Sequence, residues 1–168
     1  DSAYSFRAAP GMARLSKPFS FPQDDYSSAA MGINAAGDVV GWAAAVTPPF
    51  PQAIPNFAAI WRAGTTAISF INLGGGTTGF TPTLSTTPSM ARDIDDQGLV
   101  VGEFGSPKKA FVWKFGTPAQ QLTAPGASPG ATALALTNVN AAGALTIVGW
   151  TTDAGGQRRA TQWVIAAP

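Results

Sequence analysis

Residues 31–42 read MGINAAGDVVGW. Ile33 precedes Asn34, two alanines lead to Gly37, and Val39-Val40-Gly41 follow. A near copy, RDIDDQGLVVGE, fills 92–103, and a looser one, TNVNAAGALTIVGW, fills 137–150. In each, Asn or Asp starts a turn by bonding nearby backbone, and Gly supplies the positive φ that the last turn position needs. A strand ends on Ile33 and another starts at Val39-Val40, so the stretch predicts a β-hairpin with a short loop and a Gly bulge. Asp95 and Asn140 hold the turn position in the other copies, and the third is longer by two residues before Gly149. Gly41, Gly102 and Gly149 each close an apolar strand, where a backbone must approach closely or bend.

The hairpin recurs in steps of 61 residues (33 to 94) and 45 (94 to 139). Between its copies lie aromatic strands of another type: FAAIWRAG (57–64), AFVWKFG (110–116) and ATQWVIA (160–166). A fourth relative, AYSFRAAPG (3–11), opens the chain with Phe6 in the tryptophan place. Short segments closing on Leu follow the first three: MARL (12–15), AISFINL (67–73) and AQQL (119–122). Taken in order, the four strand types predict thirteen strands in sets of two, four, four and three. They fall in a single domain (1–168), with units at about 1–17 (partial), 28–75, 89–124 and 132–168. The N-terminal Leu strand is placed to complete the C-terminal set, which leaves the Phe6 strand surplus.

Composition agrees. The chain has 168 residues, 45% of them hydrophobic and only 11% charged, and 19 Gly with 14 Pro punctuate short segments. That is the make-up of an all-β, turn-rich, secreted type of protein. A net charge of +1 provides no field for nucleic acid. Cys and His are absent, which excludes disulfides, zinc sites built on them, and Cys or His nucleophile–base arrangements. No apolar run reaches the roughly 18 residues of a membrane-spanning helix. A start at Asp1 fits a trimmed N-terminus, with a removed signal peptide as the expectation.

The pattern Ala-x-x-Ile-Asn-x-x-Gly-x-Val-Val-Gly, followed by Ala-x-x-Trp-Arg/Lys, resembles the HAF family of bacterial extracellular repeats. Ala30, Ile33, Asn34, Gly37, Val40, Gly41, Ala58, Trp61 and Arg62 match in the first unit. In the second, Ala91, Ile94, Asp95, Gly98, Val101, Gly102, Ala110, Trp113 and Lys114 match. The third departs, with Val139 for Ile and Val164 after Trp163. The resemblance covers nearly the whole chain except the Pro-rich insert at 47–55 and the Thr-rich one at 77–88. It implies a bacterial protein that is secreted or held on the cell surface, a propeller-like fold of three to four four-stranded repeats, and no catalytic residues. Propellers usually close with at least four blades, so three sets and a spare strand call for pairing with a neighbouring chain. A β-trefoil of twelve strands in three repeats is the alternative.

Candidate sites are few. Asp24-Asp25, Asp93/Asp95/Asp96 and Glu103 are the acidic groups of note. DIDDQG lacks the alternating ligands and distal Glu of a calcium loop and sits in hairpin register, so it is read as a turn. No pair of acids shows the arrangement that glycoside hydrolysis requires. Trp61, Trp113 and Trp163 read as core, whereas Trp42 and Trp150, with Glu103 in their place in the second unit, are candidates for stacking on sugars or anchoring an interface. Lys108-Lys109 and Arg158-Arg159 stand before aromatic strands, where they suit an anionic polysaccharide or guard an edge.

The expectation is a non-enzymatic β-repeat protein without cofactor or metal that assembles with itself, by strand exchange, as a surface, matrix or filament subunit. Tyr4, Phe6 and Trp163 mark the assembly strands. The other reading is a lectin-like module with one shallow site per repeat.

Overall fold

The computed structural model describes residues 4–7, 11–15, 26–45, 56–65, 68–71, 73, 87–124, 128–166 and 168, with the side chains of 4–7, 11–14, 26 and 45 left out. Its strands are antiparallel and pair in chain order. β1 (Tyr4–Arg7) pairs with β2 (Gly11–Arg14). Sheet I is β3 (Tyr26–Ile33), β4 (Val39–Ala45), β5 (Phe57–Trp61) and β6 (Ile68–Phe70). Sheet II repeats it with β7 (Ser89–Ile94), β8 (Leu99–Phe104), β9 (Lys109–Lys114) and β10 (Gln120–Gln121). Sheet III stops at three: β11 (Gly130–Leu136), β12 (Ala144–Thr152) and β13 (Arg158–Ala166). The described residues thus form thirteen strands in the expected sets, and the architecture is all-β.

The repeated hairpins form for the reasons their residues suggest. Asn34 Oδ1 accepts the Asp38 N–H at 2.9 Å, Asp95 Oδ1 those of Gln97 and Leu99 at 2.9 and 2.8 Å, and Asn140 Oδ1 those of Ala142 and Ala144 at 3.0 and 2.9 Å. Gly37, Gly98 and Gly143 take φ of +86°, +78° and +75°. The second glycine of each unit answers a bulge in the strand ahead. Pairing slips between Ala30 and Gly32, between Ala91 and Asp93, and between Ala133 and Ala135, one residue on from the pairs to Gly41, Gly102 and Gly149. A Cβ on those glycines would stand 1.9–2.0 Å from the carbonyl oxygens of Ala29, Met90 and Thr132.

The sheets stack face to face, and one core lies in each gap. Alternation along a strand sends neighbouring residues to opposite faces. Val40 and Ile60 look forward from sheet I and share a core with Ile94, Val100, Phe111 and Trp113 on the back of sheet II. Val101 and Val112 look forward from sheet II and share the next core with Leu145, Ile147 and Trp163 on the back of sheet III. Ile71, with Leu73 that closes the second Leu segment, and Leu122, which closes the third, reach forward into these same two cores. On the back of sheet I, Val39, Ala43, Ala59 and Trp61 are met by Leu15, just past β2. All three strand tryptophans are therefore core residues.

One expectation is corrected. The N-terminal Leu strand does not complete sheet III but pairs with the Phe6 strand, which is therefore not surplus. Loop closure explains the choice: a few residues join β1 to β2, while more than a hundred separate β2 from β13. The two strands make a half unit in which Phe6 holds the aromatic place. Among the described residues no strand of one sheet pairs with a strand of another, so they form no closed barrel of the kind a trefoil uses.

Candidate functional site

Trp42, Glu103 and Trp150 hold one register position in successive sheets, opposite Ala58, Ala110 and Ala160. Ala58 and Ala110 belong to the forward cores, so all three side chains leave the forward face of their sheets. The stack keeps them apart, Trp42 between sheets I and II, Glu103 between sheets II and III, and Trp150 on the open face of sheet III, and does not gather them into one cleft. Trp42 is half-buried, and so is Trp150.

Glu103 is buried, and both its oxygens are engaged. Oε1 accepts from Arg92 Nη2 at 3.0 Å and Lys108 Nζ at 2.7 Å, and Oε2 from the Thr132 hydroxyl at 2.6 Å. Arg92 is the residue at the sheet II bulge, and Thr132 comes from β11 of the next sheet. Burial alone would raise the Glu103 pKa. The hydrogen bonds from Lys108 and Thr132, with the charges of Arg92 and Lys108, outweigh it and hold the carboxyl below its ordinary value. Glu103 thus ties sheet II to sheet III.

The basic pairs divide between two tasks. Lys108 serves Glu103, and Arg158, at the matching place in sheet III, lies 4.3 Å over the Trp150 ring. Arg159 Nε reaches Asp153 Oδ2 at 2.9 Å, and Lys109 is exposed where β9 begins. Arg62, the base after Trp61, stacks 4.2 Å over Phe115 of the next sheet. Backbone of Tyr4–Arg7 is strand, while the side chains of Tyr4 and Phe6, Asp24-Asp25 and the insert at 47–55 lie outside the described residues.

The acids of DIDDQG are turn and clasp groups. Asn34 Nδ2 donates to the Asp95 carbonyl at 3.1 Å, and the Ala35 N–H donates to Asp96 Oδ1 at 2.8 Å. The Asp96 N–H donates to Asn138 Oδ1 at 3.0 Å, Asn138 Nδ2 returns to Asp96 Oδ2 at 3.1 Å, and the Leu136 N–H donates to Asp93 Oδ2 at 3.1 Å. Among the described residues, no three acids gather to hold a metal ion. Asp95 Oδ2, however, is buried without a hydrogen-bond partner. An amide there keeps the Oδ1 bonds and removes an uncompensated charge. Asp95→Asn, which restores the residue of the other two turns, is expected to stabilise by about 1 kcal/mol. Urea midpoints check this, and a lower midpoint for the variant would show that the carboxylate is needed.

Sequence reasoning missed the forward face of sheet III. Val40 and Val101 are fully buried, yet Val148 at the same place is 46% exposed. Val164 is 64% exposed, and Trp150 with Arg158 lies beside them in the sheet. At the other end, Ile33 is 57% exposed, whereas its counterpart Ile94 is 4% exposed. Compared with known proteins, the chain matches no family model, no curated protein and no solved structure.

Proposed function

We propose that this is a non-catalytic, secreted or surface-held bacterial β-repeat protein of the kind the HAF resemblance implies, with its sheets stacked as propeller blades. It works by joining copies of itself into a surface, matrix or filament. The observation that carries this reading is the uncovered forward face of sheet III. Among the described residues, the forward faces of sheets I and II pack against the following sheet, and that of sheet III presents Val148 and Val164 to water. Exposed apolar surface of this kind marks interaction sites.

Light scattering with negative-stain microscopy of the purified chain tests the reading, and the expected particles are multiples of 17.1 kDa. Val148→Asp and Val164→Asp each place an unpaired carboxylate at the contact. Association should weaken about 100-fold, because such a group costs several kcal/mol to bury. Wild-type protein that stays monomeric at all concentrations would overturn the assembly role. The same face favours a second reading, sugar binding, through the Trp150 ring held beneath Arg158. A glycan array on Trp150→Ala separates the two.

A further inference from the structure

Sheets I and II each close with a fourth strand, and among the described residues sheet III does not. In both, the strand that carries the tryptophan takes an antiparallel Leu segment on its outer side. Ser69 pairs with Ile60 and Gln120 with Val112. Two residues on, the Ile71 and Leu122 N–H groups donate to the Ala58 and Ala110 carbonyls, each at 2.9 Å. Ala160 holds that place in β13, opposite Trp150 as Ala58 is opposite Trp42 and Ala110 opposite Glu103. Its carbonyl therefore points away from β12, and alternation turns the backbone groups of Arg158, Gln162, Val164 and Ala166 the same way. Among the described residues no strand pairs there and no backbone hydrogen bond reaches that side. Ala58 and Ala110 are fully buried, whereas Ala160 is exposed. The edge is also unguarded over most of its length. Its nine residues pair with β12 without a slip, contain no proline, and carry charge only at Arg158 and Arg159.

We infer that the outer edge of β13 takes an extended segment of another protein chain as the fourth strand of sheet III. The segment runs antiparallel to β13, sets a polar residue opposite Gln162 as Ser69 and Gln120 are set, and brings a Leu or Ile N–H to the Ala160 carbonyl. Two residues further on it reaches Arg158, where an acid is favoured by charge. Main-chain bonds supply the affinity and alternate side chains the specificity. The preceding sheets show where those side chains go. Ile68 and Phe70 pack near Trp61 behind sheet I, and Ala119 packs against the core that holds Trp113. Among the described residues, no fourth strand adds to the core that holds Trp163. An apolar residue just before the polar one continues that interface between sheets II and III. A lone strand fits this place and a folded second copy does not. Two copies joined β13 to β13 share a twofold axis normal to the sheet, which puts both second sheets on one side, where their β9–β10 edges collide. The inference is separate from the assembly reading, which concerns the forward face.

The probe is a synthetic peptide of residues 67–73, AISFINL, the fourth segment of sheet I. Fluorescence anisotropy of the labelled peptide should show saturable binding to the full chain. Gln162→Pro removes an N–H that faces the open edge and no bond to β12, so the fold should hold while affinity falls about tenfold. A Leu73→Glu peptide should bind about threefold tighter at low salt through Arg158, and an acid there without effect would contradict the direction assigned to the segment. The absence of native cysteine gives a test of register. Gln162→Cys should form a disulfide with a Ser69→Cys peptide at about ten times the yield of a Phe70→Cys peptide, whose thiol faces the other side of the sheet. Equal yields, or binding that survives Gln162→Pro and disappears in Val148→Asp, would place the peptide on the forward face and overturn the inference. Wild-type protein that leaves the peptide unbound would do the same. Slow hydrogen exchange at the Gln162 amide before peptide is added would mean that the edge is already filled. Light scattering then assigns the filling strand to the same chain if the protein is monomeric and to a second copy if it is not, and either result overturns the inference.

Discussion

Gly102→Ala is expected to cost about 3–5 kcal/mol, a large share of the roughly 5–15 kcal/mol that holds a domain folded. The added methyl would stand 2.0 Å from the Met90 carbonyl oxygen and 2.8–2.9 Å from two ring carbons of Phe111. Neither neighbour can give. The carbonyl belongs to the bulged strand, and Phe111 is wholly buried in the core between sheets I and II. Gly98→Ala, four residues earlier, is the control. Nothing lies within 4 Å of its Cβ position, so only the φ of +78° is penalised, at about 1–2 kcal/mol. Gly41→Ala and Gly149→Ala meet carbonyls at 1.9 and 2.0 Å and should fall near Gly102→Ala. Urea unfolding followed by tryptophan fluorescence ranks the four. A Gly102→Ala midpoint equal to that of Gly98→Ala would mean that the bulge opens at little cost, and the packing argument would fail.

That ranking shows how much of the fold was legible. Asn34, Gly37 and Gly41 carry local signals, a turn acceptor, a positive φ and a close approach, and each is met in the structure at the residue that announced it. Strand order followed as well, because every neighbour in a sheet is a neighbour in the chain. The N-terminal pair was misplaced for a different reason. Completing sheet III is attractive by strand count, but counting ignores the entropy of bringing β2 to β13. Propeller-like closure is a relation between ends, and no residue pattern inside a unit encodes it.

The candidate site was less legible, and Glu103 shows why. Register alone put it with Trp42 and Trp150, and the register was right. Its chemistry is decided by Thr132, 29 residues away on another sheet, and by Arg92, which the bulge pushes toward it. Such contacts across a gap follow from sheet stacking, which a linear reading does not supply. Val148 is harder still. Its sequence context is that of Val40 and Val101, and what distinguishes it is the missing sheet in front. Exposure of that kind belongs to the assembly of units and not to any one of them.

Glu103→Ala should be nearly as damaging as the glycine change. Removing one partner of a buried ion pair costs about 3–5 kcal/mol, because the remaining charge is left uncompensated. Lys108 can swing to water, since its side chain is 49% exposed, but Arg92, at 22%, cannot follow fully. The loss should therefore sit near the lower end, about 3 kcal/mol, and Arg92→Met in the same chain should recover part of it. Dependence on pH gives the sharper signature. The folded-state pKa lies below the ordinary 4.5, so the network's contribution is fully present above that value and fades as pH falls through the folded-state value. The difference in stability between wild type and Glu103→Gln, which keeps the shape but titrates no carboxyl, should be largest at neutral pH and shrink steadily below about 4.5. Urea midpoints across that range decide the matter. A difference independent of pH would mean that the side chain acts through packing and its bond to Thr132 alone, and that the charges around it contribute nothing to holding sheets II and III together.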